Sequence, residues 1–172
     1  MPYATAGHRL GPTNAVVTIV EFGDYQCRYC REAEAHIAAI RREFADDVTL
    51  VFRHFPLRLE SASYTAARAA ECAGEQGAFW PYHERLFESR DWQVGDTVEA
   101  LRNLGVDVGI ADPVQFEVCL GSQAPVAAIT ADLEAAAALG VIGTPASLVN
   151  GRLSLGVLDS LAFFDAYRDV RP

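Results

Sequence analysis

Apolar and polar positions along this chain follow two different periods. Val16 to Phe22, within the string VVTIVEFGDYQCRYC, is a β-branched apolar run of strand length interrupted by one acid, Glu21. Its near-continuous apolar character predicts a strand buried on both faces, as in a parallel sheet under helices. Gly23 and Asp24 break it, and from about 28 to 45 the period becomes helical, with Ile37, Ile40 and Phe44 on one stripe. Val48 to Phe52 is a second strand, and Pro56 keeps the chain beyond it from continuing as strand. A strand, a helix and a strand in about forty residues make a βαβ unit, expected parallel and right-handed. Ahead of it, residues 3–14 look like a loop lead-in closed by Gly11-Pro12.

From about 61 to 139 the pattern is helical throughout. SASYTAARAAECAGEQG is one helix ending near Gly74 or Gly77, and FWPYHERLFES is a second, with Pro81 tolerated near its first turn. DTVEALRNLG opens on an Asp cap and is expected to stop at Gly105. DPVQFEVCLG has Asp112 as cap and Pro113 at its first position, and APVAAITADLEAAAALG runs to Gly140. The β period returns in residues 146–150 and 152–156, joined at Asn150-Gly151, a strong hairpin signal. Asp159 then caps a last helix. Without the helical block the order is β-α-β then β-β-α, a four-stranded sheet with a parallel and an antiparallel half. The expectation is an α/β protein with a single domain over 1–172 and a helical insertion at about 61–139, lying over one edge of the core.

Composition narrows the function. Of 172 residues half are apolar, which excludes disorder, and the length supports a real core. The formal net charge of -9 argues against nucleic acid as a partner, because phosphates reward cations. All the cations are Arg. No stretch has the length and apolarity of a membrane span; the Ala-rich run near 126–142 contains Asp132 and Glu134. The opening MPYATAGHRLG lacks an apolar core segment, so no signal peptide is expected and a cytoplasmic setting is the simple reading, with export as the alternative.

Candidate chemistry centres on Cys27 and Cys30. Two thiols three apart can face each other across one helical turn and close a disulfide. The first stands where free N–H groups and the helix dipole favour an anion, and the thiolate is the reactive form. Arg28 tunes the site in the same direction. The other readings of such a pair are half a zinc site or two inert core cysteines. Cys72 and Cys119, 47 apart in the helical block, are expected as two buried thiols, with a structural disulfide as the alternative. His8, His36, His54 and His83 show no metal-ligand grouping, so no metal and no cofactor are expected. Phe79, Trp80, Tyr82 and Phe87 fall at core spacing, whereas Tyr25 and Tyr29 flank the dithiol as an apolar rim for a peptide.

The order of elements, with CRYC after the first strand, resembles the thioredoxin fold, and the helical block resembles that of the DsbA-like thiol-disulfide oxidoreductases. VEFGDYQCRYC, AECAGEQGAFWPYHERLF and GVIGTPASLVNG carry the resemblance, which spans residues 12 to 168. It implies that Cys27 is the attacking thiol and Cys30 the buried resolving thiol. Pro145 matches the family's cis-proline, and Thr144 the residue whose backbone pairs with a bound peptide. Glu21 matches a buried acid that assists proton transfer to the resolving cysteine; a strand-end acid facing water is the plainer reading. Arg28 departs from the related CPHC and CPYC strings, so no redox potential carries over. The implied partners are cysteine-containing polypeptides and a redox partner protein or glutathione. The rival functions are a non-catalytic zinc module using all four cysteines and a peptide-binding, chaperone-like domain.

Overall fold

The computed structural model describes residues 6–170, so the lead-in reading at 3–5 lies outside the described residues. Its first element corrects that reading: β1, His8–Leu10, is a three-residue strand where a loop was expected. It pairs antiparallel with β3, Val48–His54, in the register His8↔Phe52, Arg9↔Val51 and Leu10↔Leu50. HRL has no strand pattern of its own; the open edge of β3 recruits it. Gly7 and Gly11 flank it at positive φ (94° and 120°), where an added Cβ would fall 2.6 Å from Phe52 O and 2.7 Å from Val48 O. Only glycine permits both the conformation and the approach.

β2, Val17–Gly23, pairs parallel with β3 from Val17↔Val48 to Gly23↔His54, and α1, Arg28–Glu43, is the crossover between them. The helical block comes next: α2 (Ala62–Glu75), α3 (Phe79–Glu88), α4 (Thr97–Asp107), α5 (Pro113–Gly121) and α6 (Ala124–Ala138). β4 (Ala146–Val149) then pairs antiparallel with β2 and with β5 (Arg152–Leu155), giving the order β1-β3-β2-β4-β5 before α7 (Ser160–Val170). Asn150 and Gly151 both have positive φ (47° and 88°), the requirement of a two-residue hairpin turn. The structure thus has the thioredoxin-like strand order expected, plus one edge strand.

The expected caps form: Asp96 accepts from Glu99 N, Asp112 from Gln115 N and Asp159 from Leu161 N, and Ser61 adds one by accepting from Tyr64 N. One expected stop does not. α4 runs through Gly105 to Asp107, and Gly105 is used for closeness, since a Cβ there would stand 3.3 Å from Ile110 Cγ1.

Both faces of the sheet are covered, as the apolar runs require. Val17, Ile19, Val48 and Leu50 meet Ile37 of α1 and Phe163 of α7; Val20, Phe22, Val51 and Leu148 meet Ala136 of α6. The helical block therefore does more than cover one edge. Phe52 packs into its α2–α3 side, while α6 crosses the opposite face. Asp132 fastens α6 there, accepting from Arg53 Nε at 2.6 Å and His54 N at 2.8 Å in a buried ion pair. Among the described residues no helix is long and apolar enough to cross a membrane.

Cys72 of α2 and Cys119 of α5 are bonded to each other, with Cα atoms 5.7 Å apart, so the expectation of two separate thiols is replaced by the disulfide. Closing a 47-residue loop restricts the unfolded chain by about 4 kcal/mol on the chain-entropy account. Replacing both cysteines by alanine is expected to lower unfolding stability by about 2–4 kcal/mol. Urea midpoints with the dithiol in one fixed redox state measure it; an unchanged midpoint would show that the bond constrains little.

Candidate active site

β2 ends at Gly23, and the turn to α1 is shaped by Asp24, a buried residue that the sequence marks only as a strand breaker. Its Oδ1 accepts from Gln26 N at 2.6 Å and from the Ser63 hydroxyl, and its Oδ2 accepts from Leu57 N at 2.8 Å. Its own N–H donates to Cys30 Sγ at 3.4 Å. One carboxylate thus ties the turn before α1 to the chain after β3 and to the start of α2.

Cys27 is the residue immediately before α1, and the first turn of that helix holds no acidic side chain. Its sulfur is half-buried, whereas Cys30, one turn on, is sealed from solvent. Both thiols are free. Burial pushes the Cys30 thiol far up in pKa, and the Asp24 N–H opposes only part of that. Cys27 Sγ faces the far loop, donating to Thr144 O at 3.6 Å, and the Thr144–Pro145 bond is cis. The structure therefore brings Cys27, Cys30, Thr144 and Pro145 together.

Glu21 is fully buried, so the reading of a strand-end acid facing water fails. Its register neighbours are Phe52 and Ser147, and neither of its carboxylate oxygens has a hydrogen-bond partner. Burial raises its pKa well above the carboxylate range, and the nearby charges of Glu34 and Cys27 raise it further.

The two tyrosines separate. Tyr29 is half exposed, with the Arg28 guanidinium 4.7 Å from its ring centre, so Arg28 lies over the tyrosine. Tyr25 is not on the rim. It is buried against Phe52 and Phe87, and its hydroxyl pairs with His83 Nδ1 at 3.0 Å. His83 Nε2 in turn meets Glu34 Oε1 at 2.8 Å, so the hydroxyl donates to Nδ1 and the imidazole N–H to Glu34. Aromatic spacing in YQCRYC gives no sign that one ring turns inward. A groove of 630 Å³ runs beside Cys27, lined by Arg28, Leu57, Arg58 and Ala62 among others. Beside Tyr29, exposed apolar surface at the groove comes from Leu57, beyond the end of β3.

The histidine reading also needs correction. His8 Nε2 and His54 Nε2 both reach Glu71 Oε1, at 2.7 and 2.8 Å. Positions 8, 54 and 71 form no local spacing; the pairing of β1 with β3 and the packing of α2 bring them together.

Comparison with known proteins agrees with the fold. The sequence matches the family described as Thioredoxin over residues 4–160. A thioredoxin-like oxidoreductase from Silicibacter pomeroyi DSS-3 superposes with a TM-score of 0.82 at 31% identity, covering 99% of this chain and 94% of that one. Oxidised BdbD from Bacillus subtilis superposes with a TM-score of 0.76 at 26% identity, covering 94% and 88%. A Na(+)/H(+) antiporter, NhaA 1 of Salinispora arenicola, is 35% identical over 147 residues, which is 84% of this chain and 22% of the antiporter. The chain spans about a quarter of the length of the curated relatives it matches.

Because Glu21 holds its proton more tightly folded than unfolded, the folded state binds more protons above the unfolded carboxylate pKa. Stability is then expected to fall as pH rises from about 4.3, the unfolded value. Glu21→Gln removes that slope and is expected to be the more stable protein at pH 7. Urea midpoints of both reduced proteins between pH 4 and 8 measure it; parallel curves would show that Glu21 is not held protonated.

Proposed function

The chain belongs to the thioredoxin family, and from that premise we propose that it is a DsbA-like thiol-disulfide oxidoreductase acting on cysteines of polypeptides. The observation that carries this is the asymmetry of the dithiol: Cys27 reaches solvent at the mouth of α1 while Cys30 is sealed behind it. Of two such thiols only the outer can meet a partner, and only the inner is always at hand to release it.

In the oxidising direction a substrate thiolate attacks Cys27 Sγ of the disulfide form, and the electron pair of the broken bond leaves on Cys30. A buried thiolate is costly, so Cys30 takes up a proton, which Glu21 supplies. The substrate's second thiolate then attacks the mixed disulfide and expels Cys27. The substrate loses two electrons and the dithiol gains them. Reversed, Cys27 attacks a substrate disulfide and Cys30 resolves it, with Glu21 receiving the proton. Thr144 offers its carbonyl beside Cys27 for pairing with the substrate backbone, Pro145 fixes that loop, and Tyr29 with Leu57 gives the apolar rim. The redox partner that resets the pair is a second dithiol protein or glutathione.

The zinc-module reading needs four thiolates, and Cys72 with Cys119 are taken up by each other. The same bond moves the expected setting. A structural disulfide is unusual in a reducing cytoplasm, so an oxidising, exported location replaces the cytoplasmic one.

Insulin reduction by dithiothreitol tests the activity. Cys27→Ser is expected to abolish catalysis, and Cys30→Ser to accumulate a mixed disulfide with a cysteine peptide, visible by mass spectrometry. Glu21→Gln is expected to slow turnover by about tenfold or more without unfolding the protein. Binding of unfolded chains with no insulin reduction would support the chaperone-like reading instead.

A further inference from the structure

His8, His54 and Glu71 stand apart from the dithiol chemistry. Their ligand atoms, two imidazole Nε2 and one carboxylate oxygen, all lie within 4.8 Å of one another. We propose that these three side chains form a binding site for one divalent transition-metal ion of the zinc type, with the remaining coordination position left to water.

The donor set fits that ion: two imidazoles are borderline ligands joined by one hard carboxylate oxygen, and three protein ligands with an open position are a recurrent zinc arrangement. Tetrahedral ligands at zinc distances stand about 3.4 Å apart, so the carboxylate oxygen, now 2.7 and 2.8 Å from the two nitrogens, has to move back by about half an ångström. Glu71 and His8 keep 17% and 24% side-chain exposure, so the open position faces the side from which an ion and its water arrive.

The scaffold is rigid. Each ligand sits on a regular element: His8 on β1, His54 at the end of β3, and Glu71 in the middle of α2. His8 is registered opposite Phe52, two residues before His54, so the ladder places both imidazoles on the same face. The His8 ring lies flat on Phe79, with 3.4 Å between centres and 4° between planes. Its other edge passes over Gly74, where an added Cβ would come within 2.8 Å of His8 Cε1. A ring clamped between a phenyl face and a bare backbone has little freedom to lose on binding.

Without metal, both imidazole N–H groups donate to the one Glu71 oxygen. The ion would replace those two hydrogen bonds and move each ring proton to Nδ1. For His54 that atom is buried without a partner. A metal-bound imidazole lacking such a partner binds about 10–100-fold more weakly than one with it. Occupied, the site would tie the edge strand β1 to α2.

The test uses the full chain with Cys27 and Cys30 oxidised to their disulfide, so that thiolates cannot compete. Isothermal titration with zinc chloride is expected to show one equivalent bound per chain, and zinc is expected to raise the melting temperature. His8→Ala and Glu71→Gln are each expected to weaken binding by about tenfold or more and to remove the thermal shift, while His36→Ala, on the far helix, keeps both. Circular dichroism without metal confirms that the variants are folded. No binding at millimolar zinc, or binding equal in wild type, His8→Ala and Glu71→Gln, would overturn the site and leave the trio as a hydrogen-bonded pin.

Discussion

The carboxylate of Asp24 is the fixed point of this structure. It takes hydrogen bonds from two backbone N–H groups and one hydroxyl belonging to three stretches of chain, and its own N–H rests on the inner sulfur. A hydrogen bond to a charged group is worth about 1.5–3 kcal/mol, and a buried carboxylate stripped of such donors costs more than that. The turn from strand to helix, the exit of β3 and the start of α2 are thus held by the same two oxygens. The outer sulfur stands where it does because this knot sets how α1 leaves the sheet.

Around that knot the interior is incomplete in polar partners. Glu21 is sealed with both oxygens unpaired, and the hydroxyl of Ser147, its register neighbour across the ladder, is unpaired as well. A neutral carboxyl tolerates this far better than a carboxylate. Folding therefore sets the acid's proton affinity, and the same burial sets that of Cys30. These are the two groups that exchange a proton in the mechanism proposed above.

Much of this was legible in residue order because it is local. The β-branched run, the helix that starts at the dithiol, the Asn-Gly turn and the aspartate caps depend on neighbours within a few residues. The misses depend on distant ones. Strand β1 exists because β3 offers an open edge; Tyr25 turns inward because His83, 58 residues on, accepts its hydroxyl. α4 continues past Gly105 because Ile110 fills the space a side chain would have taken. The meeting of His8, His54 and Glu71 needed the register of two strands and the seating of α2 together. Cysteine spacing located the dithiol and the family resemblance Pro145, but neither said anything of these long-range contacts.

The sheet ends in two abbreviated borders: three residues of β1 on one side and four of β5 on the other. β5 turns Leu153 and Leu155 partly toward solvent, an invitation to stray strands that its brevity limits to a few rungs. For the unfolded chains proposed as substrates, such clipped margins leave few backbone groups to pair with along the flank.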